Sequence, residues 1–308
     1  MNQRDEDIRR INELTEQRFG AQWRENWAAN WDSVKGLPGI ISLLGGFGGA
    51  PCVISAAGPS LEKALPYMRK YRGRYVHIST DACYKRVRNG GVPPDLTVSA
   101  DAQERVVWLI GKRRRGDLFA GIPWQHPNYV SRVVKDRDFV PFTEYADENV
   151  GNISFWGEIA LRYLGGDTEY FGTVLPGSGV TSAAMDIAYS MGCSPIIFVG
   201  LDLSWKVDNA ELENVPEKGE KVRDINGDAV YTKGGYIIQR EYFEYMVPKM
   251  RRRCHIINAT GAGLRISAMD SMGTADAMRL CDSKLWFVPA LRMRHLLEHR
   301  KKTWGKDR

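Results

Sequence analysis

Two glycine-containing turns in this chain have the composition of an anion-binding site. The first is Gly58-Pro59-Ser60, and the second is Gly177-Ser178-Gly179, which is followed by Thr181 at the start of a helical pattern. Glycine lets a backbone approach a ligand closely, and the first N–H groups of a helix are free donors at the positive end of its dipole. Both turns are therefore predicted to hold an anion.

Carboxylates follow several apolar runs of the chain within one or two residues. Asp81, Asp101 and Asp202 each follow such a run, and His126 lies in the loop sequence PWQHPN. A carboxylate at these positions can bind ribose hydroxyls, hold a divalent cation or take a proton as a general base, and His126 is a further candidate base. Each aspartate could instead cap a helix. Together with the two turns, these residues favour a nucleotide phosphate as the anion.

The elements that must position these residues alternate along the chain from residue 51 onward. Apolar runs predict strands at 52–56, 75–80, 95–99, 169–174, 195–200 and 255–259, and helical patterns fall at 61–72, 154–164, 180–191 and 239–252. This alternation predicts an α/β fold, a Rossmann-like and mostly parallel sheet with helices on both faces. Because parallel strands end at one edge, the residues that follow them, including Thr260, are expected at that edge.

The flanks and one internal segment differ in composition from this core. Residues 1–34 form a predicted amphipathic helical arm, 35–270 the catalytic domain, and 271–308 a helical basic tail. The arm carries Trp23, Trp27 and Trp31 at a spacing of four, which places them on one helix face. That face either packs on the main domain or forms a homo-oligomer or partner surface. The polar segment 206–235 is predicted to be a lid or insertion loop.

Composition and missing motifs exclude several function classes. The 308 residues carry a net charge of +6 without one long basic stripe, so nucleic acid stays open as a partner. The five cysteines form no CxxC pair, which argues against a metal or redox centre. Neither GxxxxGK[ST] nor GxGxxG is present, which argues against a P-loop ATPase and a dinucleotide-binding enzyme. No apolar run has the length of a membrane span, and the polar first residues are unlike a signal peptide. A cytoplasmic enzyme is the expectation.

Four separated motifs resemble one family. "VISAAGPSLEKAL" (53–65), "GGVPPDLTVSAD" (90–101), "GSGVTSAAMDIAYSMGCSPIIFVGLDLSW" (177–205) and "HIINATGAGLRIS" (255–267) are similar, in this order, to motifs of the motility accessory factor glycosyltransferases and the archaeal MptE-type 6-hydroxymethylpterin diphosphokinases. The third motif also resembles the nucleotide-binding segment of CMP-sialic acid sialyltransferases. The chain departs from the family in "GLRISAM", where relatives commonly have a glycine after the isoleucine.

The resemblance implies roles for individual residues. It puts Asp81 and Asp101 at the catalytic edge, and it assigns the nucleotide to Gly58, Pro59, Ser60, Gly177, Ser178, Gly179, Thr181, Asp202, Asn258 and Thr260. With His126 as a third candidate base, it implies a glycosyltransferase that moves a sugar, such as a nonulosonic acid from a CMP-sugar, to an acceptor hydroxyl on a protein, a glycan or a modified nucleic acid.

Two other functions stay open. One is an ATP-dependent diphosphokinase, in which Asp81, Asp101 or Asp202 would hold Mg²⁺. The other is a non-catalytic nucleotide-binding assembly protein that makes its contacts through the tryptophan arm and the basic tail. A cofactor is expected only for the diphosphokinase.

Overall fold

The computed structural model describes residues 3–135, 138–144, 162, 170–175, 179–206, 219–282, 285 and 287–304, with side chains between 15 and 299 except that of residue 144. The chain divides into two compact units. One consists of Met1–Leu43, Ser99–Pro176 and Arg294–Arg308, and the other of Leu44–Val98 and Gly177–Met293. They are called the flanking unit and the central unit below.

The regular elements follow one another along the chain in a βα pattern. The strands are β1 Cys52–Ser55, β2 Val76–Thr80, β3 Leu96–Ser99, β4 Phe119–Gly121, β5 Phe139–Pro141, β6 Thr143–Glu144, β7 Thr173–Val174, β8 Ile196–Val199, β9 Glu220–Arg223, β10 Ala229–Thr232, β11 Ile256–Asn258 and β12 Asp270–Ser271. The α-helices are α1 Gln3–Val34, α2 Leu61–Lys70, α3 Tyr84–Asn89, α4 Arg105–Ile110, α5 Pro127–Val133, α6 Val180–Ser190, α7 Gly234–Met250, α8 Thr274–Arg279 and α9 Pro289–Trp304.

The central unit is built on a parallel sheet in the strand order β12-β11-β8-β1-β2-β3. Every pairing between these neighbours is parallel, and Ile54 of β1 lies opposite Ile78 of β2 on one side and Phe198 of β8 on the other. The chain builds outward from β1 through β2 and β3, and then returns to the other side of β1 as β8. The order of the sheet therefore changes direction between β1 and β8.

Helices cover both faces of this sheet. Ile197 and Val199 of β8 point into a core that they share with Leu61 and Met68 of α2. Phe198 points to the opposite face, where its ring meets that of Phe243 of α7 with the centroids 5.5 Å apart. Strands buried on both faces are continuous apolar runs, which is why the sequence predicted them and why the α/β, Rossmann-like fold is confirmed.

In the flanking unit, the long helix α1 is fixed by buried asparagines. Asn26 and Asn30 donate side-chain hydrogen bonds to backbone carbonyls of residues 102 and 123–125, at 2.7 to 3.3 Å. Trp27 is 1% exposed, and its ring lies 6.2 Å from that of Trp124. The tryptophan face thus packs within its own unit at Trp27, and a homo-oligomer through this arm stays an untested prediction.

Several elements differ from the sequence-based expectations. In the run predicted at 169–174, the described residues 170–174 contain one short strand, β7, which pairs with β6 apart from the main sheet. The segment 206–235 contains the antiparallel hairpin of β9 and β10. Its residues 207–218 lie outside the described residues. The predicted helix at 154–164 also lies outside them, apart from residue 162. Strands β4 and β5 were not predicted, because each is too short to form a recognisable apolar run.

Candidate functional site

A hydrogen bond joins the loops that follow the two strands at which the sheet order reverses. Ser60, after β1, donates its hydroxyl to the Oδ2 atom of Asp202, after β8, at 2.7 Å, and the Ser60 backbone N–H approaches the same oxygen at 3.3 Å. Both residues are buried, with 7% and 4% exposure. In open parallel sheets, ligands bind beyond the carboxyl ends of the strands at such a reversal point. The first predicted turn therefore lies at the edge of the sheet where α/β folds bind ligands.

Gly58 is needed at this place because the neighbouring loop comes too close for a side chain. A Cβ atom on Gly58 would lie 1.8 Å from Asp202 Oδ2 and 2.5 Å from the carbonyl oxygen of Gly200. The Gly58 N–H donates to that same carbonyl at 2.8 Å. The glycine thus allows the turn to close onto the loop after β8, which leaves Ser60 beside the carboxylate.

A cation stands beside the same turn. The guanidinium group of Arg86, on α3, donates to the carbonyls of Ala57 at 2.6 Å and Gly58 at 3.2 Å, and it pairs with Glu62 at 3.0 Å. Arg86 was not among the predicted residues. Nothing in the local sequence distinguishes Arg86 from the other surface arginines. Its contact with the turn depends on how α3 packs beside that turn.

The loop after β8 has an unusual backbone that is held from several sides. Leu203 has a φ of 51°, a left-handed conformation that is costly for a residue other than glycine. The backbone oxygen of Asp202 accepts from Leu264 N–H at 2.8 Å, and a Cβ on Gly263 would lie 2.0 Å from that oxygen. Strain of this kind persists where surrounding contacts determine the conformation, so the position of Asp202 is specified by its neighbours.

Asn258 and Thr260 support this loop from the next strand. The Thr260 hydroxyl accepts from the Leu201 N–H at 3.0 Å, and the side-chain oxygen of Asn258 accepts from the Thr260 N–H at 3.1 Å. Both side chains are buried. In the structure these two predicted nucleotide residues hold the loop that carries Asp202.

The second predicted turn lies at the start of α6. Gly177 and Ser178 are outside the described residues, whereas Gly179 directly precedes the helix. The Thr181 hydroxyl accepts a hydrogen bond from the side-chain amide of Gln239 on α7, at 2.6 Å, and a Cβ on Gly179 would lie 2.8 Å from that amide nitrogen. Because α6 ends at Ser190, shortly before β8 begins at Ile196, its C-terminal end lies at the start of β8 and its N-terminus lies toward the carboxyl edge of the sheet, where Ser60 also lies.

The three candidate bases have different surroundings. Asp81 follows β2 in the central unit, is 3% exposed, and accepts the N–H of Ala82 at 2.7 Å. Asp101 and His126 belong to the flanking unit, where Asp101 accepts from the N–H of Gln103 at 2.9 Å and from Arg105 at 2.7 Å.

His126 caps α5, and its Nδ1 accepts the N–H of Asn128 at 3.3 Å. An Nδ1 that accepts a hydrogen bond carries no proton and uses its lone pair for that bond. While it makes this cap bond, the Nδ1 atom of His126 is not available to take a proton from an acceptor hydroxyl.

Burial and hydrogen bonding act in opposite directions on Asp202. Burial raises the pKa of its carboxyl group above the ordinary value of 3.8, while the two bonds from Ser60 oppose the rise. Within the described residues, no group of three or more His, Cys, Asp and Glu side chains is arranged to hold a metal ion. Mg²⁺ bound by fewer carboxylates together with a nucleotide phosphate stays a prediction.

The described part of the chain also contains no helix that combines the length and the apolar character needed to cross a bilayer.

Gly200 and Gly263, like Arg86 and Gln239, were missed as site residues. The glycines had a signal in the sequence, since Gly200 ends the predicted strand 195–200 and Gly263 follows the predicted strand 255–259 closely, but Gln239 had none.

Comparison with known proteins places this site in context. The family model for the 6-hydroxymethylpterin diphosphokinase MptE-like proteins matches residues 25–208, which is more than half of the 308 residues. No curated protein sequence matches the chain.

Among solved structures, the chain is similar to the MAf glycosyltransferase from Magnetospirillum magneticum AMB-1, with a TM-score of 0.59 and 16% identity. The match covers 82% of this chain and 37% of that one, so the chain spans well under half of the glycosyltransferase, and the likeness is one of fold. The family match includes the Gly58-Pro59-Ser60 turn and extends past Asp202, and on this basis the chain belongs to the 6-hydroxymethylpterin diphosphokinase MptE-like family.

Proposed function

We propose that the protein is a nucleotide-dependent transferase that moves a glycosyl group from a nucleotide-activated sugar to an acceptor hydroxyl. The observation that carries the proposal is the Ser60 to Asp202 hydrogen bond at the β1/β8 reversal point, with Gly58 packed against the carboxylate. This is the place at which α/β folds bind nucleotides. The family match and the glycosyltransferase fold support a transferase that uses a nucleotide.

The leaving group of such a transfer is a nucleotide phosphate, and charge near the first turn would stabilise it. Arg86 brings a guanidinium group to the carbonyls of residues 57 and 58. The first N–H groups of α6, behind Gly179, supply further donors at the positive end of a helix. Donors that are already positioned for the developing charge lower the barrier without reorganising. A CMP-linked sugar is the first donor to test, because of the resemblance of residues 177–205 to the sialyltransferase segment.

Asp81 is the preferred base of the three candidates. It follows β2, next to β1, and it belongs to the same unit as both glycine turns. Asp101 is paired with Arg105, which occupies its carboxylate, and the Nδ1 atom of His126 is used by the cap bond from Asn128. We expect Asp81→Asn to lower kcat by about 10²- to 10⁴-fold. Asp282→Asn, at an exposed surface carboxylate, is the matched control.

A diphosphokinase is the second candidate, and the description of the matching family favours it. In that reaction ATP would supply the diphosphoryl group and Mg²⁺ would neutralise its charge. Asp81 and Asp202 follow β2 and β8, the two strands on either side of β1, and Asp202 already accepts a hydrogen bond from Ser60. The two candidates share the nucleotide site and differ in the group that is transferred.

One screen separates the candidates. Thermal unfolding is measured with CMP, UMP, GDP and ATP and with their sugar conjugates, in the presence and absence of Mg²⁺, since a ligand at about 100 times its Kd adds about 2.7 kcal/mol of stability. If the protein transfers a sugar, we expect the unfolding temperature to rise with CMP or another nucleotide product in the absence of Mg²⁺, and we expect the nucleotide-sugar donor to be hydrolysed.

A response only to ATP with Mg²⁺, followed by AMP release with 6-hydroxymethylpterin, would establish the diphosphokinase instead. Binding without turnover of either substrate pair would support the assembly protein. The Gly58→Ala variant should lose the response that Gly235→Ala retains, because Gly58, unlike Gly235, is crowded by neighbouring atoms.

A further inference from the structure

An aromatic cluster formed by Trp205, Tyr231 and Tyr236 lies beside the loop that carries Asp202. Trp205 and Tyr231 exchange backbone hydrogen bonds of 2.9 Å in both directions. The Trp205 ring stacks on Tyr231 with centroids 6.4 Å apart, and it meets Tyr236 in a T-shaped contact at 6.2 Å. All three side chains are half-buried, so the rings retain area that a ligand can cover.

Hydrogen bonds connect this cluster to both sides of the candidate nucleotide site. The Thr232 hydroxyl, next to Tyr231, donates to the carbonyl of Leu203 at 2.9 Å, which ties the hairpin to the strained loop after Asp202. On α7, one turn beyond Tyr236, Gln239 donates to Thr181 at the N-terminus of α6. The rings are therefore held next to the groups that would bind the phosphate.

A positive charge accompanies the rings. The ammonium group of Lys233 lies 4.7 Å from the centroid of the Tyr236 ring. Lys233 is exposed, as are Gly234 and Gly235 beside it, and neither glycine has a heavy atom within 4 Å of the position that a Cβ would take. An aromatic surface with an adjacent cation suits a flat ring that carries an anionic group.

We propose that Trp205 and Tyr236 form a stacking platform for the base of the bound nucleotide. The inference rests on the proposed function and adds to it the residues that distinguish a nucleotide from its sugar phosphate. The phosphate interacts with the Gly58-Pro59-Ser60 turn, with the start of α6 and with Arg86. The base stacks on the Trp205 ring, and the Tyr236 ring, which is inclined to it by 70°, contacts the edge of the base. Stacking depends little on base identity, so the platform provides affinity for any nucleobase.

The test compares ligands with and without a base on the full chain. The Kd values of CMP, UMP, AMP and GMP are measured by calorimetry beside that of ribose 5-phosphate, which retains sugar and phosphate. The wild-type protein should bind a nucleotide about tenfold or more tightly than ribose 5-phosphate. Trp205→Leu and Tyr236→Leu should each remove most of that difference and leave the Kd of ribose 5-phosphate unchanged, while Trp205→Phe should restore part of it.

Tyr245→Leu is the matched control. Tyr245 is 48% exposed on the same helix, but its nine-residue separation from Tyr236 puts it on the opposite side. It should bind every ligand as the wild type does.

If nucleotides bind and Trp205→Leu weakens them and ribose 5-phosphate equally, the platform is wrong and the nucleotide site stands. If no nucleotide binds the wild type, the proposed function fails and the platform with it. Retained discrimination in both leucine variants also overturns the platform, provided that their circular dichroism matches that of the wild type.

Discussion

Ser60 donates its hydroxyl to the carboxylate of Asp202 at 2.7 Å, and these two residues follow β1 and β8, the adjacent strands between which the sheet order reverses. The bond links two loops whose bonded residues are 142 positions apart in the sequence. It fixes the first glycine turn against a buried carboxylate. The stability and titration of this pair can therefore be measured separately from any ligand.

Replacing Gly58 by alanine should destabilise the protein by about 1–3 kcal/mol, as overpacking does. The added Cβ would lie 1.8 Å from Asp202 Oδ2, so either the turn or the carboxylate must move. Urea unfolding measures the change. Gly235→Ala, in the first turn of α7 with no neighbour within 4 Å, should leave stability equal or raise it by up to about 1 kcal/mol. Equal stability of both variants would show that Asp202 does not contact the turn in solution.

The raised pKa of Asp202 predicts a pH dependence of stability. Burial makes the folded state hold the Asp202 proton more tightly than the unfolded state, whose pKa is near 3.8. Stability from this residue is therefore fully present below that value and falls as the pH rises through the raised folded pKa. Asp202→Asn cannot titrate, so its free energy of unfolding relative to the wild type should increase from pH 4 to pH 7. A difference that is constant over this range would contradict the buried carboxylate.

His77 should show the opposite pH dependence. Burial, together with the nearby Arg72, lowers its pKa from 6.5 to about 3, and its Nε2 lies 2.8 Å from the Ser55 hydroxyl. The unfolded state takes up this proton first, so stability is present above pH 6.5 and is lost by about 1.4 kcal/mol per unit as the pH falls toward 3. Urea unfolding of the wild type and His77→Gln between pH 7 and 5 measures the slope. The same His77 resonance should stay that of a neutral imidazole by NMR, and a titration near pH 6.5 would refute its burial.

Asn30→Ala should cost about 2–3 kcal/mol of stability. The side-chain amide donates to the carbonyls of Pro123 at 2.8 Å and Gln125 at 2.7 Å, and its loss leaves two buried acceptors without this donor. Thermal and urea unfolding measure the effect. On the same helix, Asp32→Ala removes an exposed pair with Lys35 and should change stability by no more than about 0.5 kcal/mol. Similar effects of the two changes would mean that α1 is not held by Asn30.

The α/β class and the Gly58-Pro59-Ser60 turn were predictable because they depend on local patterns. Apolar runs such as 52–56 and 195–200 become strands when both faces are buried, and a glycine turn before a helix is recognisable without its neighbours. A parallel sheet then places Ser60, Asp81 and Asp202, which follow β1, β2 and β8, at its carboxyl edge. For the same reason β4 and β5 were missed, since very short strands have no period to detect.

The sequence by itself determined the fold class, the family and the residue types of the candidate nucleotide site, because these follow from periodicity and from short motifs. Only the tertiary structure decided that Asp202 accepts from Ser60, that Arg86 reaches the first turn, and that Gln239 holds Thr181. It also placed the rings of Trp205 and Tyr236 together. Each of these contacts joins residues far apart in the chain, and their distance is set by how the strands are ordered and how the helices pack, which no local pattern encodes.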